Sequence, residues 1–189
     1  MIIVQMHGEP GSGKSTLARS LGPKLGAVVV DKDLISSGAI RAGVPFAEAG
    51  KVAYEALWLL IPSILEQNFS VIIDSPCFWP NIEHRGREIA GRFSASYQMI
   101  ECTCPSSEID RRLATRERLE SNPTERGAGA TRPGMYAPSC GRLVLDASRP
   151  VEELVAESLA HLRAGSGAKD SSPLANHSDL GPRASGLPR

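Results

Sequence analysis

The stretch HGEPGSGKST, His7 to Thr16, sets Gly8, Gly11 and Gly13 beside a lysine and two hydroxyls, directly after an apolar run. Residues 8–15 match G-x-x-x-x-G-K-[ST] in full, with a strand-like pattern before and a helical pattern after. These residue types at this spacing suit one task, gripping a chain of phosphates. Backbone without a Cβ can curl its N–H groups around phosphate oxygens. The helix that starts at Gly13 adds unpaired donors and partial positive charge. Lys14 reaches the β- and γ-phosphates as a point charge, and Ser15 offers an oxygen to Mg²⁺. The predicted cradle is Gly8, Pro10, Gly11, Ser12, Gly13, Lys14, Ser15 and Thr16, and the predicted ligands are ATP and Mg²⁺. The alternative is a glycine-rich turn that matches by accident.

What happens to the triphosphate depends on carboxylates. The apolar strand SVIID ends at Asp74 and continues into Ser75. A motor ATPase carries a glutamate there to polarise water, and a GTPase shows N-K-x-D; neither is present. Transfer to an acceptor other than water is therefore expected, with ATP as donor. Such transfer needs a carboxylate beside the acceptor hydroxyl. VVVDKDLI offers Asp31 and Asp33, and residues two apart on an extended segment share a face. Asp33, just before the helical continuation, is the expected base. Asp31 is left as a Mg²⁺ or hydrogen-bonding partner. In the competing reading one of the two caps the helix LISSGAI.

The loop and these carboxylates resemble P-loop kinases. More narrowly, the chain is similar to the group of zeta toxins, chloramphenicol phosphotransferase, gluconate kinase and polynucleotide kinases, over about residues 1–162. The resemblance implies an α/β P-loop NTPase fold, a three-layer sandwich. Its five-stranded parallel sheet runs in the order 2-3-1-4-5, with helices on both faces and a small lid. It implies transfer of the γ-phosphate to a small molecule or a nucleic-acid end, with an aspartate of the Asp31–Asp33 segment as base. It also implies that Asp74 holds Mg²⁺ through water and contacts Ser15; the alternative is that Asp74 caps the following turn. In related kinases a helix and lid deliver arginines to the phosphates, which carries over to Arg112 and Arg116 on one helix face, and to Arg126 on the flap. The bland reading of that stretch is a solvated, salt-bridged surface. DASRP, after the last strand, falls where such kinases set a loop against the base.

Acceptor contacts are expected from the segments after the second and third strands: Arg41, Tyr54 and Trp58, then Cys77, Phe78, Trp79 and Arg85. Phe78 and Trp79 form either a stacking wall or core. Cys77 is not read as a nucleophile, since the sequence places no histidine to activate it. SPCFW departs from the Thr and Asn of polynucleotide kinases, which argues against a nucleic-acid end. The expected function is an ATP-dependent phosphotransferase for a small-molecule hydroxyl. A polynucleotide or nucleotide kinase, or an ATP-binding regulatory module, is the alternative.

The elements that must position these residues follow from periodicity. Apolar runs at Met1–Met6, Ala27–Val30, Ser70–Asp74, Tyr97–Cys102 and Leu143–Asp146 alternate with helical patterns, which predicts a parallel sheet with helices on both faces. Ala27–Val30 reads as a strand buried on both faces. Ala49, Val52, Ala53, Ala56, Leu57, Leu60 and Ile64 read as the inner side of one long helix. Ligands in such sheets sit beyond the carboxyl ends of the strands, where Asp31, Asp33, Asp74 and Asp146 would gather. At 189 residues one domain is expected over 1–163, with a lid at about 122–139 and a disordered tail over 164–189.

Zero formal net charge speaks against a dedicated nucleic-acid binder, and no run is long enough for a membrane span. The chain's start lacks a basic n-region, and its four cysteines form no paired motif. A reducing cytoplasm, buried free thiols and a monomer or homodimer are expected.

Overall fold

The computed structural model describes residues 1–115, 119–121 and 141–165. In chain order these form β1 (Ile2–His7), α1 (Lys14–Leu25), β2 (Ala27–Asp31), α2 (Lys32–Arg41), α3 (Phe46–Glu66), β3 (Ser70–Asp74), α4 (Pro80–Arg92), β4 (Ser96–Thr103), α5 (Ser106–Thr115), β5 (Arg142–Asp146) and α6 (Val151–Gly165). The expected lid, Arg116, Arg126 and Cys140 lie outside the described residues, as does the expected tail beyond Gly165. Helix α6 itself holds Ala164 and Gly165.

The strands pair in parallel as β2-β3-β1-β4-β5, the order the resemblance implied. The central strand β1 is buried along its whole length, and its side chains alternate between two cores. Ile2, Val4 and Met6 pack with Leu17 and Leu21 of α1 and Leu154 and Leu162 of α6. Ile3 packs on the other face with Leu57 and Ile61 of α3 and Ile82 and Ile89 of α4. Each fully buried Leu or Ile contributes about 1.5–3 kcal/mol by leaving water. After β3 the chain crosses over β1 to β4, so the strand order reverses at β1. The carboxyl end of β1, at His7, therefore opens into the switch-point crevice.

Helix α1 keeps Pro23 inside its last turn, and Gly26 stops it in the left-handed conformation at φ 59°, donating to the Gly22 and Pro23 carbonyls. A Cβ on Gly22 would lie 2.8 Å from Val29 Cγ2, so the bare residue lets α1 lie close on β2.

Two expectations are corrected. Ala27–Val30 is not buried on both faces: β2 is an edge strand and Val28 is 38% exposed. On α3 the buried stripe is Ala49, Ala53, Leu57, Ile61 and Leu65, while Val52 and Leu60 face solvent. Both Leu60 and Ile61 are apolar, so only the position of the sheet selects between them. Among the described residues no helix is long and apolar enough to cross a membrane.

Candidate functional site

The phosphate loop leaves the end of β1 and re-enters helix at Lys14. Gly8, Gly11 and Gly13 take φ of 126°, 83° and 100°, a region that favours glycine. Part of that demand comes from the protein itself. A Cβ on Gly8 would lie 2.3 Å from the Cys102 carbonyl oxygen of β4. The Ser12 N–H donates to the Glu9 carbonyl and closes the turn. The first helical bond runs from Leu17 to Gly13, which leaves the N–H groups of Lys14, Ser15 and Thr16 outside the helical ladder. No acidic residue occupies that first turn. Lys14 is buried, and its Nζ donates to the Glu9 carbonyl at 2.7 Å.

The loop lines a cavity of about 1860 Å³ with residues from the carboxyl ends of β2 and β3. Asp74 is buried at the end of β3 and accepts a hydrogen bond from the Ser15 side chain. Burial pushes its carboxyl up to about 6; the Ser15 bond and Lys14 oppose that, while Asp31 and Asp33 add repulsion. Its Oδ2 is a buried oxygen with no partner among the described residues. A buried hydroxyl–carboxylate pair with an unsatisfied oxygen fits a hard cation that prefers oxygen ligands, so these residues fit Mg²⁺.

The two aspartates after β2 separate in role. Asp31 is the N-cap of α2: its Oδ1 accepts from the Asp33 and Leu34 N–H groups, and Arg19 Nη2 donates to its Oδ2 at 3.1 Å. The shared extended face is thereby corrected, because the chain turns helical at Lys32. Asp33 sits in the first turn of α2, lines the cavity and pairs with Lys32 Nζ at 2.5 Å. Asp31 lines the cavity as well. Asp146 does not; it turns back onto the N–H and hydroxyl of Ser148.

Arg112 sits on α5 beside the loop. Its Nε donates to Glu108 and its Nη2 to the Ala147 carbonyl, both at 2.8 Å. Its Nη1 lies 3.2 Å from where a Cβ on Gly13 would stand. Arg111 shares Glu108, and the two guanidinium groups hold that carboxyl down at about 2. Arg41 is not in the cavity wall. It pairs with Glu120 through Nε and Nη2 at 2.7 and 3.2 Å, tying α2 to the segment 119–121. In the same segment Ser121 Oγ donates to the Asp33 carbonyl.

The remaining wall comes from α3, α4 and the loop between β3 and α4. Phe78 is half-buried and meets His7 and Trp79 edge-on at 5.6 and 6.2 Å. Trp79 lies open at the start of α4, and both rings line the cavity. Tyr54 shares a hydrogen bond with Ser75 Oγ at 2.7 Å, and burial raises its phenol to about 12, so the ring stays protonated. The Cys77 side chain is buried, and its backbone N–H donates to His7 Nδ1 at 3.3 Å. The fold thus brings a histidine to Cys77 that no local pattern announced. Burial lowers the His7 pKa, which keeps Nδ1 free to accept. Lys32 also went unselected in the sequence, although its place between two aspartates was a usable signal.

The family model described as AAA domain matches residues 3–132, and the chain belongs to that family. No curated protein matches the chain. Among solved structures, a candidate kinase of Chloroflexus aurantiacus is 19% identical, with TM-score 0.67 over 87% of this chain and 97% of its own. A sugar kinase of Janibacter sp. HTCC2649 is 17% identical, with TM-score 0.59 over 88% and 97%. The Mycobacterium tuberculosis APS kinase CysC, in complex with AMPPNP and APS, is 20% identical, with TM-score 0.61 over 86% and 97%. This chain and those proteins share the P-loop α/β fold.

Proposed function

We propose that the protein is an ATP- and Mg²⁺-dependent phosphotransferase that moves the γ-phosphate to a hydroxyl of a small molecule. One observation carries the reading: the phosphate loop opens into the same cavity as Asp33, Asp74 and an aromatic wall large enough to seat a second substrate. The residue after Asp74 supports transfer over hydrolysis. Ser75 is buried and bonded to Tyr54, so no carboxylate stands there to activate water. The kinase names of the similar structures point the same way.

In this reading the loop N–H groups and Lys14 hold the β- and γ-phosphates. Ser15 and, through water, Asp74 would hold Mg²⁺, which when bound would supply positive charge against the phosphate oxygens. Arg112, fixed by Glu108 and Ala147, meets the charge that grows on the transferred group. Asp33 accepts the acceptor's hydroxyl proton as the new O–P bond forms and the bond to the ADP oxygen breaks.

The test is γ-labelled ATP with metabolite and antibiotic panels, wild type beside Asp33→Ala. The variant is expected to keep ATP affinity within about tenfold and lose transfer by roughly 10²–10⁴. Equal transfer by both proteins removes Asp33 as the base, and ATP binding without any transfer favours a regulatory module.

A further inference from the structure

We infer that the acceptor is an uncharged alcohol carrying an aromatic or other apolar ring face, not a phosphorylated or carboxylated metabolite; this rests on the phosphotransferase reading above. Two features of the acceptor side carry it. The first is charge. That wall holds Lys32, Lys51 and Arg85 against Asp33, Glu55 and Glu88, with His84 as a further titratable group. Lys32 is taken by Asp33 at 2.5 Å. Arg85 reaches both Glu55 oxygens at 3.3 and 3.4 Å and lies 5.5 Å from the Trp58 ring. On the nucleotide side Lys14 stands at the phosphate loop, while Arg19 is paired with Asp31, Arg111 and Arg112 with Glu108, and Arg149 with Glu153 and Glu157. The acceptor wall thus balances three cations against three carboxylates, and two of its cations, Lys32 and Arg85, are already paired, so it offers a second anion no net positive field.

The second feature is exposed apolar surface. Trp79 is 44% exposed, Phe46 65% and Leu34 52%, and all three line the cavity. Trp79 is braced edge-on by Phe78, which is braced in turn by His7. Tyr54 and Trp58 line the same cavity but stack on each other at 6.4 Å, and Trp58 is buried, so they offer less open ring surface. An open, braced indole beside a phosphate site gains stability when a ring covers it and displaces water.

The experiment compares matched acceptors with MgATP. Neutral ring alcohols (nucleosides, pyranosides, aryl alcohols) stand beside anionic ones (nucleoside monophosphates, sugar phosphates, sugar acids). Wild type, Trp79→Ala and Trp79→Phe are assayed, with melting temperature confirming that each variant is folded. Neutral acceptors are expected to lead in kcat/KM by about tenfold or more. Trp79→Ala should raise the acceptor KM by about tenfold, roughly the loss of one stacked ring, and leave the ATP KM within about twofold. Trp79→Phe should recover most of it. Preference for anionic acceptors, or an unchanged acceptor KM in Trp79→Ala, overturns the inference. If MgATP binds and no acceptor is phosphorylated, the phosphotransferase reading falls. Saturation-transfer NMR with the same alcohols then decides the inference alone. Neutral ring binding lost in Trp79→Ala supports it, and binding that is absent or insensitive to Trp79 overturns it.

Discussion

Asp74 provides the sharpest test, because its value to the site and its cost to the fold have opposite signs. Burial lifts its carboxyl from 3.8 to about 6, over the opposing pull of Ser15 and Lys14. A carboxyl raised in the folded state holds a proton that the unfolded chain has already released. The Asp74 contribution to the stability of the magnesium-free protein therefore falls as pH climbs from about 4 to about 6 and levels off above. The shift of roughly two units, at about 1.4 kcal/mol each, makes the buried charge cost about 3 kcal/mol at pH 8. Asp74→Asn keeps the volume and removes the ionisation. In EDTA, urea unfolding should find Asp74→Asn more stable than wild type by about 3 kcal/mol at pH 8 and by about 1.5 kcal/mol at pH 5. Other titrating groups cancel, since only the difference between the two proteins is read. The same variant should lose the stabilisation that MgATP gives wild type. A variant no more stable than wild type at pH 8, or a gap that does not narrow toward pH 5, refutes the argument that the fold keeps an unfavourable carboxylate there for a cation.

Two further outcomes follow from the loop. Gly8→Ala puts a Cβ 2.3 Å from a β4 carbonyl at φ 126°, whereas Gly26→Ala at φ 59° meets nothing within 4 Å. Urea or thermal unfolding should show a loss of about 3 kcal/mol or more for the first and about 1 kcal/mol for the second; equal losses would contradict the packing of the loop on β4. Arg112→Gln removes the guanidinium beside Gly13, its partly exposed ion pair with Glu108 and its hydrogen bond to the Ala147 carbonyl. Transfer should fall by roughly 10²–10³ with stability changed by less than about 1 kcal/mol, and an unchanged kcat would place Arg112 outside the chemistry.

Parts of the site were legible because they are local. The phosphate loop is contiguous, and its glycines, lysine and serine act through backbone and side chains a few residues apart. The contact of Ser15 with Asp74 was implied by resemblance and is present. The division between Asp31 and Asp33 was not legible, since either could cap α2 and the choice turns on where β2 stops pairing with β3 at Asp74. Arg41 was read as an acceptor contact because nothing in sequence links it to Glu120, 79 positions away. His7 and Cys77, separated by 70 positions, meet only because β1 and β3 are neighbours.

By itself the sequence determined the phosphate loop and the alternation of strand and helix, because both rest on backbone freedom and short-range periodicity. Only the tertiary structure decided which apolar face of α3 is buried, which aspartate caps α2, and which aromatic rings stay open. Those depend on the sheet order, and that order brings together residues that the chain keeps far apart.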